Sequence, residues 1–423
     1  MSSFIEELRW RNMLHDMIPG TEELLQKPGV KGYIGFDPTA DSLGIGNMVQ
    51  VMTLLHFQRC GHCPVVLVGG ATGMIGDPSG KSEERALLAE EQIIYNLECQ
   101  KKQLEKFLSF SGANAAEIVN NYDWFKDLSL LKFLREAGKH ITVNYMMAKD
   151  SVQNRLEGGI SFAEFSYQLI QGYDFYWLWK NKGVQLQMGG SDQWGNIVTG
   201  IELIRKKEGG EAFALTTKLL LKADGSKFGK TASGNIWLDP AKTSPYKLYQ
   251  FFLNVADEDI PAVARIFSLS GRESLAELEK EHALAPHLRK LQKFVAGEVT
   301  ERVHGKDALH KAIEASEILF GKSTTESLQR LSSSEILEVF EGVPYYKLAK
   351  DQFSGSDWVS ILGEHTKVFS SKGEARRSIQ ENAVSVNKEK IDVSSRPSDS
   401  HLLHGRYLVI QKGKKNYYLL EVV

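Results

Sequence analysis

Hydrophobic and polar positions along the first half of the chain predict strands and helices in turn. Gly32–Phe36 is a short apolar run, residues 48–60 place apolar side chains on one helical face, and Pro64–Gly70 is a continuous run rich in valine. Such a run of β-branched residues is typical of a strand buried on both faces, and strand–helix–strand order predicts parallel pairing. We therefore expect an α/β fold with a doubly wound, Rossmann-like parallel sheet.

The second half of the chain changes to helical periodicity. Residues 245–340 show little strand pattern, and residues 341–356 contain glycine and proline among polar positions, which is typical of a linker. A basic helix and short strands follow in 357–423. The pattern predicts a Rossmann-like domain with a helical insertion in 1–244, an α-helical domain in 245–340, a linker in 341–356 and a small α+β domain in 357–423.

Composition and charge narrow the class of protein. The chain has 423 residues, of which 42% are apolar and 25% charged, as expected for two or three globular domains. The formal net charge is −2, but residues 343–423 carry about +4 and the remainder about −6, which predicts a basic C-terminal module. No apolar run approaches the ~18 residues of a membrane span. Three cysteines fit a reducing cytoplasm.

Cys60 and Cys63, with His56 nearby, raise the alternative of a zinc site. Closed structural zinc sites need four ligands, and no second Cys/His pair lies at finger spacing, while Cys99 stands alone in a charged segment. We expect instead that Gly61 ends a helix and that Cys63 begins the next strand. The sequence therefore predicts no metal site here.

Three segments have the composition of a nucleotide-binding site. Residues 41–47, Asp-Ser-Leu-Gly-Ile-Gly-Asn, form a glycine-bearing loop before a helix, a layout that directs backbone N–H groups at an anion. Lys227 and Lys230 lie in a loop rich in Gly, Ser and Thr, which suits the polyphosphate of ATP or is a solvated basic turn. Residues 189–196 place Asp, Gln and backbone amides after a strand, which suits hydroxyl and amine recognition, a helix N-cap, or both.

Taken together and in this order, these segments resemble bacterial tyrosyl-tRNA synthetases, which are class I aminoacyl-tRNA synthetases. The resemblance runs essentially end to end and rests on residues 36–43, 68–77, 165–174, 187–196 and 227–231. Residues 44–47 stand at the family's "HIGH" signature, residues 227–231 at its "KMSKS" signature, and residues 357–423 resemble an S4-type RNA-binding domain. The resemblance implies an ATP-dependent ligase that uses Mg²⁺, forms tyrosyl-adenylate and then esterifies tRNA(Tyr).

The resemblance also implies roles for individual residues. Tyr33 and Asp174 are expected to hydrogen-bond the phenol hydroxyl, so that phenylalanine leaves them unpaired and is rejected. The rest of the tyrosine site is expected to comprise Asp77, Tyr167, Gln171 and Gln193. ATP is expected at Gly35, Asp37, Thr39, Gly46, Asn47, Gly190, Asp192, Lys81, Arg85 and Lys230. Lys227 and Lys230 are expected to stabilise the pyrophosphate in the transition state, with Thr39 and Asn47 beside them.

Gly44 is the one departure from the family pattern. The first signature position carries histidine in the family, whose imidazole donates to an ATP phosphate, and glycine has no side chain to do so. Loss of one donor aimed at transition-state charge typically costs about 2.7–4 kcal/mol, or about 10²–10³ in rate. We therefore expect slowed activation. The alternative is a synthetase-like RNA-binding protein with lost or reduced aminoacylation, which Gly44 favours and the intact lysine loop and tyrosine pocket oppose.

The basic C-terminal module and the helical segment, on the anticodon side in the family, are expected to bind tRNA. The cations expected to contact RNA phosphates are Lys372, Arg376, Arg377, Lys388, Lys390, Lys412, Lys414 and Lys415. The alternative is that these residues form a solvated charged surface that binds no RNA, which would have the same composition. The resemblance further implies a homodimer in the cytoplasm. A sister synthetase for tryptophan is disfavoured, because the Tyr33 and Asp174 pair suits a phenol rather than an indole.

Overall fold

The computed structural model describes residues 3–79, 88–156, 158–231, 234–320, 325–341, 343–413 and 416–423. The strands are β1 (Leu14–Met17), β2 (Lys31–Phe36), β3 (Cys63–Val68), β4 (Glu117–Asn120), β5 (Leu186–Gly190), β6 (Phe213–Thr217), β7 (Lys230–Thr231), β8 (Gly234–Asn235), β9 (Tyr345–Leu348), β10 (Val384–Val386), β11 (Glu389–Lys390), β12 (Tyr407–Lys412) and β13 (Asn416–Val422).

The helices alternate with these strands in the first half of the chain and dominate its middle. They are α1 (Phe4–Trp10), α2 (Thr21–Leu24), α3 (Ile45–Arg59), α4 (Glu90–Leu104), α5 (Tyr122–Phe125), α6 (Leu130–Glu136), α7 (Val143–Met147), α8 (Asp150–Gln153), α9 (Phe162–Lys182), α10 (Trp194–Glu208), α11 (Pro245–Leu253), α12 (Ile260–Phe267), α13 (Arg272–Leu284), α14 (Lys290–His304), α15 (Lys306–Phe320), α16 (Thr325–Arg330), α17 (Ser333–Val339), α18 (Lys350–Gly355), α19 (Trp358–Ser360) and α20 (Lys372–Gln380). None of the helices in the described ranges has the length and hydropathy that a membrane-spanning helix requires.

The first sheet confirms the predicted parallel α/β fold. Its strand order is β1-β6-β5-β2-β3-β4, in which β1 pairs antiparallel with β6 and the other neighbours pair in parallel. Strand β3 is buried from Pro64 to Val68 because α-helices cover both faces of such a sheet. Helix α3 ends at Arg59 with Cys60 as its C-cap, and Gly61 follows with φ +89°, which confirms its predicted helix-ending role.

The chain divides into two compact units, residues 1–243 with 253–303 and residues 244–252 with 304–423. The segment 245–340, predicted as one helical domain, is therefore shared between the units. Inside the first unit, aromatic and aliphatic side chains from β2, β3, α9 and α10 form one core. The second unit contains a five-stranded sheet of order β11-β10-β12-β13-β9.

The predicted linker in residues 341–356 is wrong for most of its described part. Strand β9 pairs in parallel with β13, and Leu348 and Phe353 are fully buried in the core of the second unit. Pro344 directly precedes β9 and Gly355 is the last residue of α18, whereas Gly342 lies outside the described residues. Local composition could not show that β13, some seventy residues later, provides a partner for β9.

Candidate active site

A cavity of about 470 Å³ opens at the carboxyl ends of the parallel strands β2 and β5. Ligands of open α/β sheets bind at this edge, because the loops that follow the strands converge there. The cavity is lined by these residues expected from the sequence: Tyr33, Gly35, Asp37, Thr39, Gly44, Gly46, Asn47, Asp77, Tyr167, Gln171, Asp174, Gly190, Asp192, Gln193, Lys227 and Lys230. Lys81 and Arg85 lie outside the described residues.

Tyr33 and Asp174 form the closed end of the cavity. Asp174 is 1% exposed, and its two carboxylate oxygens accept hydrogen bonds from Trp124 Nε1 at 2.9 Å and from Asn121 Nδ2 at 3.1 Å. The Tyr33 hydroxyl is buried and has no hydrogen-bond partner among the described residues. A buried, unpaired hydroxyl beside a carboxylate is unusual in a folded protein, and it is a ready partner for a polar group of a ligand.

Burial controls the ionisation of this pair. Desolvation raises the pKa of Asp174 to about 8, although the hydrogen bonds from Asn121 and Trp124 act in the opposite direction. Desolvation, together with the charge of Asp174, raises the pKa of Tyr33 well above its ordinary value. Tyr33 therefore stays a neutral hydroxyl, which can both donate and accept.

Asp37 and Tyr167 form a second polar group next to this end. The Tyr167 hydroxyl donates to Asp37 Oδ2 at 2.7 Å, and Thr72 Oγ1 donates to Asp37 Oδ1 at 2.7 Å. Gly69 makes this arrangement possible, because a Cβ atom there would lie 2.2 Å from Asp37 Oδ1 and 2.3 Å from Thr72 Oγ1. Burial raises the pKa of Tyr167 well above its ordinary value, so the hydroxyl remains a donor.

Asp77, Gln171 and Gln193 converge through one amide. Asn196 Nδ2 donates to Gln171 Oε1 at 3.1 Å and to Gln193 Oε1 at 3.3 Å, while Gln193 Nε2 donates to Asp77 Oδ2 at 2.7 Å. Helices α9 and α10, which carry Gln171 and Asn196, pack closely enough for this contact because Gly200 lies against Phe175. The result is a region rich in carboxylate and amide oxygens, which suits an ammonium group.

The mouth of the cavity has a different character. Gly44 caps helix α3 in an extended conformation, φ −91° and ψ 169°, and its N–H donates to Asn47 Oδ1 at 3.0 Å. The amide oxygen of Asn47 is therefore already engaged, and it is the NH₂ group of this side chain that could donate to a ligand. Gly46 and Asn47 are exposed at the helix N-terminus, where backbone N–H groups favour an anion.

The lysine loop closes against this helix N-terminus. Gly229 has φ +91°, and a Cβ atom there would lie 2.0 Å from Ile45 Cγ2. The side chains of Lys227 and Lys230, on either side of this glycine, are both exposed. Two exposed ammonium groups and a helix N-terminus around one opening form an anion site suited to a polyphosphate.

Sequence reasoning missed Thr72, Asn121, Trp124 and Asn196. Asn121 directly follows strand β4, so the rule that flagged the ends of β2 and β5 could also have found it. Asn196 lies in the segment 189–196 that the sequence singled out, but its role as a hub depends on the packing of α9. Nothing in the local sequence marks Trp124 as a partner of Asp174, which lies fifty residues later.

The basic residues predicted to bind RNA lie in the second unit, and several already have partners. Lys372 pairs with Glu364, Lys412 with Glu374 at 3.0 Å, Lys388 donates to the Tyr417 hydroxyl at 2.8 Å, and Lys390 donates to the Asn382 carbonyl at 2.6 Å. Arg376 and Arg377 are exposed on α20. Lys414 and Lys415 lie outside the described residues.

Comparison with known proteins agrees with this arrangement. A family model described as tRNA synthetases class I (W and Y) matches residues 26–321, and one described as a tyrosine–tRNA ligase SYY-like C-terminal domain matches residues 335–420. The chain is 60% identical to the tyrosine–tRNA ligase of Cytophaga hutchinsonii over 99% of both chains. It is 58% identical to that of Porphyromonas gingivalis strain W83 over 99% of this chain and 100% of the relative.

Solved structures show the same similarity. A C-terminally truncated mitochondrial tyrosyl-tRNA synthetase of Aspergillus nidulans is 31% identical, with a TM-score of 0.66, and the match covers 74% of this chain and 92% of that one. A corresponding enzyme of Coccidioides posadasii is 30% identical, with a TM-score of 0.65, over 74% of this chain and 91% of that one.

Proposed function

The chain belongs to the tyrosine–tRNA ligases, which are class I aminoacyl-tRNA synthetases, and from this premise we propose how its cavity works. Tyrosine and ATP enter the cavity and react to tyrosyl-adenylate and pyrophosphate, and the tyrosyl group then passes to tRNA(Tyr). The observation that supports this most strongly is the closed end of the cavity, where the Tyr33 hydroxyl, which has no hydrogen-bond partner among the described residues, lies beside a buried Asp174.

Tyr33 and Asp174 recognise the phenol hydroxyl of the substrate. The substrate hydroxyl donates to Asp174, which already accepts from Asn121 and Trp124, and accepts from Tyr33, whose hydroxyl has no other hydrogen-bond partner among the described residues. Phenylalanine would leave the buried Tyr33 hydroxyl without this partner, and a site built in this way discriminates by about 10⁴–10⁵, an effect for which tyrosyl-tRNA synthetases are themselves the standard example.

Asp77, Tyr167 and Gln171 bind the substrate ammonium group, supported by the concentration of acceptor oxygens around Asn196. The nucleotide contacts the cavity residues expected at the ATP site, which are Gly35, Asp37, Thr39, Gly46, Asn47, Gly190, Asp192 and Lys230. A carboxylate oxygen of tyrosine attacks the α-phosphorus of ATP, the bond to the bridging oxygen breaks, and pyrophosphate leaves. This step needs orientation and charge stabilisation rather than an acid or base.

Lys227 and Lys230 stabilise the negative charge that develops on the leaving pyrophosphate, since both line the cavity beside the N-terminus of α3. Gly44 contributes only its backbone here, and its N–H is already bonded to Asn47. We therefore propose that the first step runs more slowly than it would with histidine at this position.

A Mg²⁺ ion that accompanies ATP would supply positive charge at the phosphates, and the cavity offers a carboxylate that would hold it. Mg²⁺ usually binds through one or two carboxylates together with substrate phosphates and water. Asp192, which lines the cavity with Lys227, offers a carboxylate of this kind.

A cytoplasmic location is proposed in addition, supported by the free thiols of Cys60, Cys63 and Cys99.

Binding of tRNA is proposed for the second unit, supported by exposed Arg376 and Arg377 on helix α20. The predicted lysines that are bonded to neighbouring side chains or carbonyls would have to exchange those partners for RNA phosphates. Such contacts lose affinity as salt is raised, because bound phosphates release counterions.

A homodimer is proposed through the segment 130–162 of the first unit. Large apolar side chains are unusually exposed there: Leu131 is 76%, Val143 63% and Phe162 77% exposed. Exposed apolar side chains in such concentration are typical of a protein interface, and a symmetric dimer is the commonest form of assembly.

Phe162→Glu tests this interface. We expect a shift from dimer to monomer in sedimentation velocity, because a charge cannot be buried without a partner. The matched control is Leu284→Glu, a change at another exposed apolar residue of the same unit, 87% exposed and outside the segment. A dimer that survives Phe162→Glu, or dissociates equally in both variants, would contradict the proposal.

The overall activity is tested by ATP–pyrophosphate exchange and by charging of tRNA(Tyr). We expect exchange that depends on tyrosine and is far weaker with phenylalanine or tryptophan. The alternative of an RNA-binding protein without activation is not favoured, because the lysine loop and the tyrosine pocket are both complete. It would be supported by tRNA binding without any tyrosine-dependent exchange.

A further inference from the structure

Helix α9 presents Asp174 and Trp177 three residues apart, and one tryptophan outside the helix contacts both. The indole ring of Trp124 stacks on that of Trp177, with ring centroids 4.3 Å apart and planes inclined by 11°. The Nε1 atom of the same indole donates to Asp174 Oδ1 at 2.9 Å. Residues three apart on a helix lie on one face, so helix α9 holds Trp124 at two points.

We propose that Trp177 is a positioning residue for tyrosine recognition, which acts through Trp124 on the carboxylate of Asp174. This inference deepens the proposed function and rests on it. Neither Trp124 nor Trp177 is among the residues that line the catalytic cavity. Trp177 therefore acts on the substrate only through the orientation of Asp174.

The surroundings of Trp124 explain why stacking is needed. Trp124 lies on α5, a helix of four residues, and so short a helix has little stability of its own. A second cavity of about 390 Å³ is lined by both Trp124 and Trp177. The open space beside the pair would allow the Trp124 ring to turn away from Asp174 if nothing held its face.

The other carboxylate oxygen of Asp174 is held independently. Asn121 is fully buried, accepts from Ala71 N at 2.7 Å, and donates to Thr72 Oγ1 at 3.0 Å and to Asp174 Oδ2 at 3.1 Å. None of these contacts involves Trp177. Loss of the stack should therefore loosen one oxygen of Asp174 and weaken discrimination without abolishing tyrosine binding.

The test compares Trp177→Ala with Trp179→Ala. Trp179 lies on the same helix, is likewise partly buried against the same core, and donates its indole N–H to the Glu211 carbonyl at 3.0 Å. We expect Trp177→Ala to raise the KM for tyrosine about fivefold and, with phenylalanine little affected, to lower the tyrosine-to-phenylalanine ratio of kcat/KM about fivefold. The kcat and the KM for ATP should change less than twofold, and Trp179→Ala should change none of these values by more than twofold.

Two further variants separate positioning from simple loss of packing. Trp177→Phe keeps an aromatic face and should restore discrimination to within twofold of the parent. Trp124→Phe keeps a ring but removes the N–H donor, so it should reproduce the loss seen in Trp177→Ala and would replace that variant if it fails to fold. Equal effects of the two alanine variants, or no rescue by phenylalanine, would overturn the proposal. Absence of tyrosine-dependent exchange in the parent would instead overturn the proposed function.

Discussion

The two ends of the active-site cavity are built in opposite ways. At the closed end, Asp174 is buried and held by hydrogen bonds from Asn121 and Trp124. At the mouth, the lysines are exposed, and the helix N-terminus offers backbone groups with a glycine, Gly44, at its cap. One end is rigid and specific, and the other is open and depends on charge.

This difference follows from what each end must recognise. Discrimination between a phenol and a phenyl ring requires buried polar groups whose loss of a partner is costly, so they must be held in place before the substrate arrives. Stabilisation of a departing pyrophosphate requires positive charge that follows the reaction, which flexible lysines provide. Changes at the closed end should therefore alter specificity, and changes at the mouth should alter rate.

The largest expected effect is a fall in kcat/KM for tyrosine when Asp174, at the closed end, is replaced. Asp174→Asn places an NH₂ group against one of the donors Trp124 and Asn121 and removes one of the two acceptor oxygens at this site. Each buried group left without a partner costs about 1–3 kcal/mol, and both the substrate hydroxyl and one of these donors lose theirs, so kcat/KM for tyrosine should fall by about 10²–10⁴. Exchange with phenylalanine should fall much less. An equal fall in kcat/KM for tyrosine and phenylalanine would show general damage to the variant, and would contradict the assignment of specificity to the closed end.

The next effect is at the mouth. Lys227→Ala and Lys230→Ala should each lower kcat for tyrosyl-adenylate formation by about 10²–10³, because each removes a group aimed at transition-state charge. The dissociation constant of tyrosine, measured in the absence of ATP, should stay within twofold. Lys222→Ala, which changes a lysine of the same loop that does not line the cavity, is the control. A large change in tyrosine affinity would contradict the separation of the two ends.

A gain in rate is expected from Gly44→His. The backbone at Gly44 is extended, and a Cβ atom there would lie 3.4 Å from the Ile236 carbonyl oxygen and 3.7 Å from Asn47 Oδ1, so a side chain fits. The imidazole adds a donor at the phosphate end, and adenylate formation should rise at least about tenfold in single-turnover assays. Gly44→Ala, which adds no donor, should change the rate less than threefold. A histidine variant no faster than the alanine variant would show that the missing donor is unimportant.

The smallest effect is the dependence of stability on pH at the closed end. The pKa of Asp174 is raised from 3.8 to about 8 in the folded protein, so between these values the folded state binds a proton that the unfolded state does not. Stability therefore falls as the pH rises from about 4 to about 8. The Asp174→Asn variant has no carboxyl group at this position and so lacks this pH-dependent loss of stability. The Tm of the variant minus the Tm of the parent should therefore increase by a few degrees between pH 5 and pH 8.5. Thermal unfolding across this range measures the change.

Tyr33→Phe is the control for that series. It keeps the carboxyl group of Asp174, and the pKa of Tyr33 is raised above its ordinary value of 10, outside the range measured. The Tm of Tyr33→Phe relative to the parent should stay constant with pH. If the Tm difference between Asp174→Asn and the parent also stayed constant with pH, the carboxyl group of Asp174 would not be the source of the pH-dependent stability.

Sequence reasoning was most successful where the signal is local. Strands β2 and β3 and helix α3 were predicted from short patterns of apolar residues, because burial on one or both faces repeats with the period of the element. The cavity residues were predicted because they stand at the ends of such strands or in segments that resemble a known family. The helix-ending role of Gly61 was predicted for a similar reason, since the residue itself allows a left-handed backbone.

Prediction failed where a residue depends on a distant partner. Strand β9 looked like part of a linker, since its partner β13 is some seventy residues away in the chain. Trp124 carried no local sign of a role, because its function is to hold an oxygen of Asp174, which lies fifty residues later in the sequence.

The sequence by itself determined the family, the order of the elements and the chemical types gathered at the cavity, including the glycine at its mouth. The tertiary structure decided which atoms are paired. Among the residues that the structure describes, the Tyr33 hydroxyl has no hydrogen-bond partner, Asp174 accepts from Asn121 and Trp124, and Trp124 contacts both Asp174 and Trp177. The physical reason is that burial patterns repeat over a few residues, whereas a hydrogen bond in a core is set by the packing of elements that meet only in the folded chain.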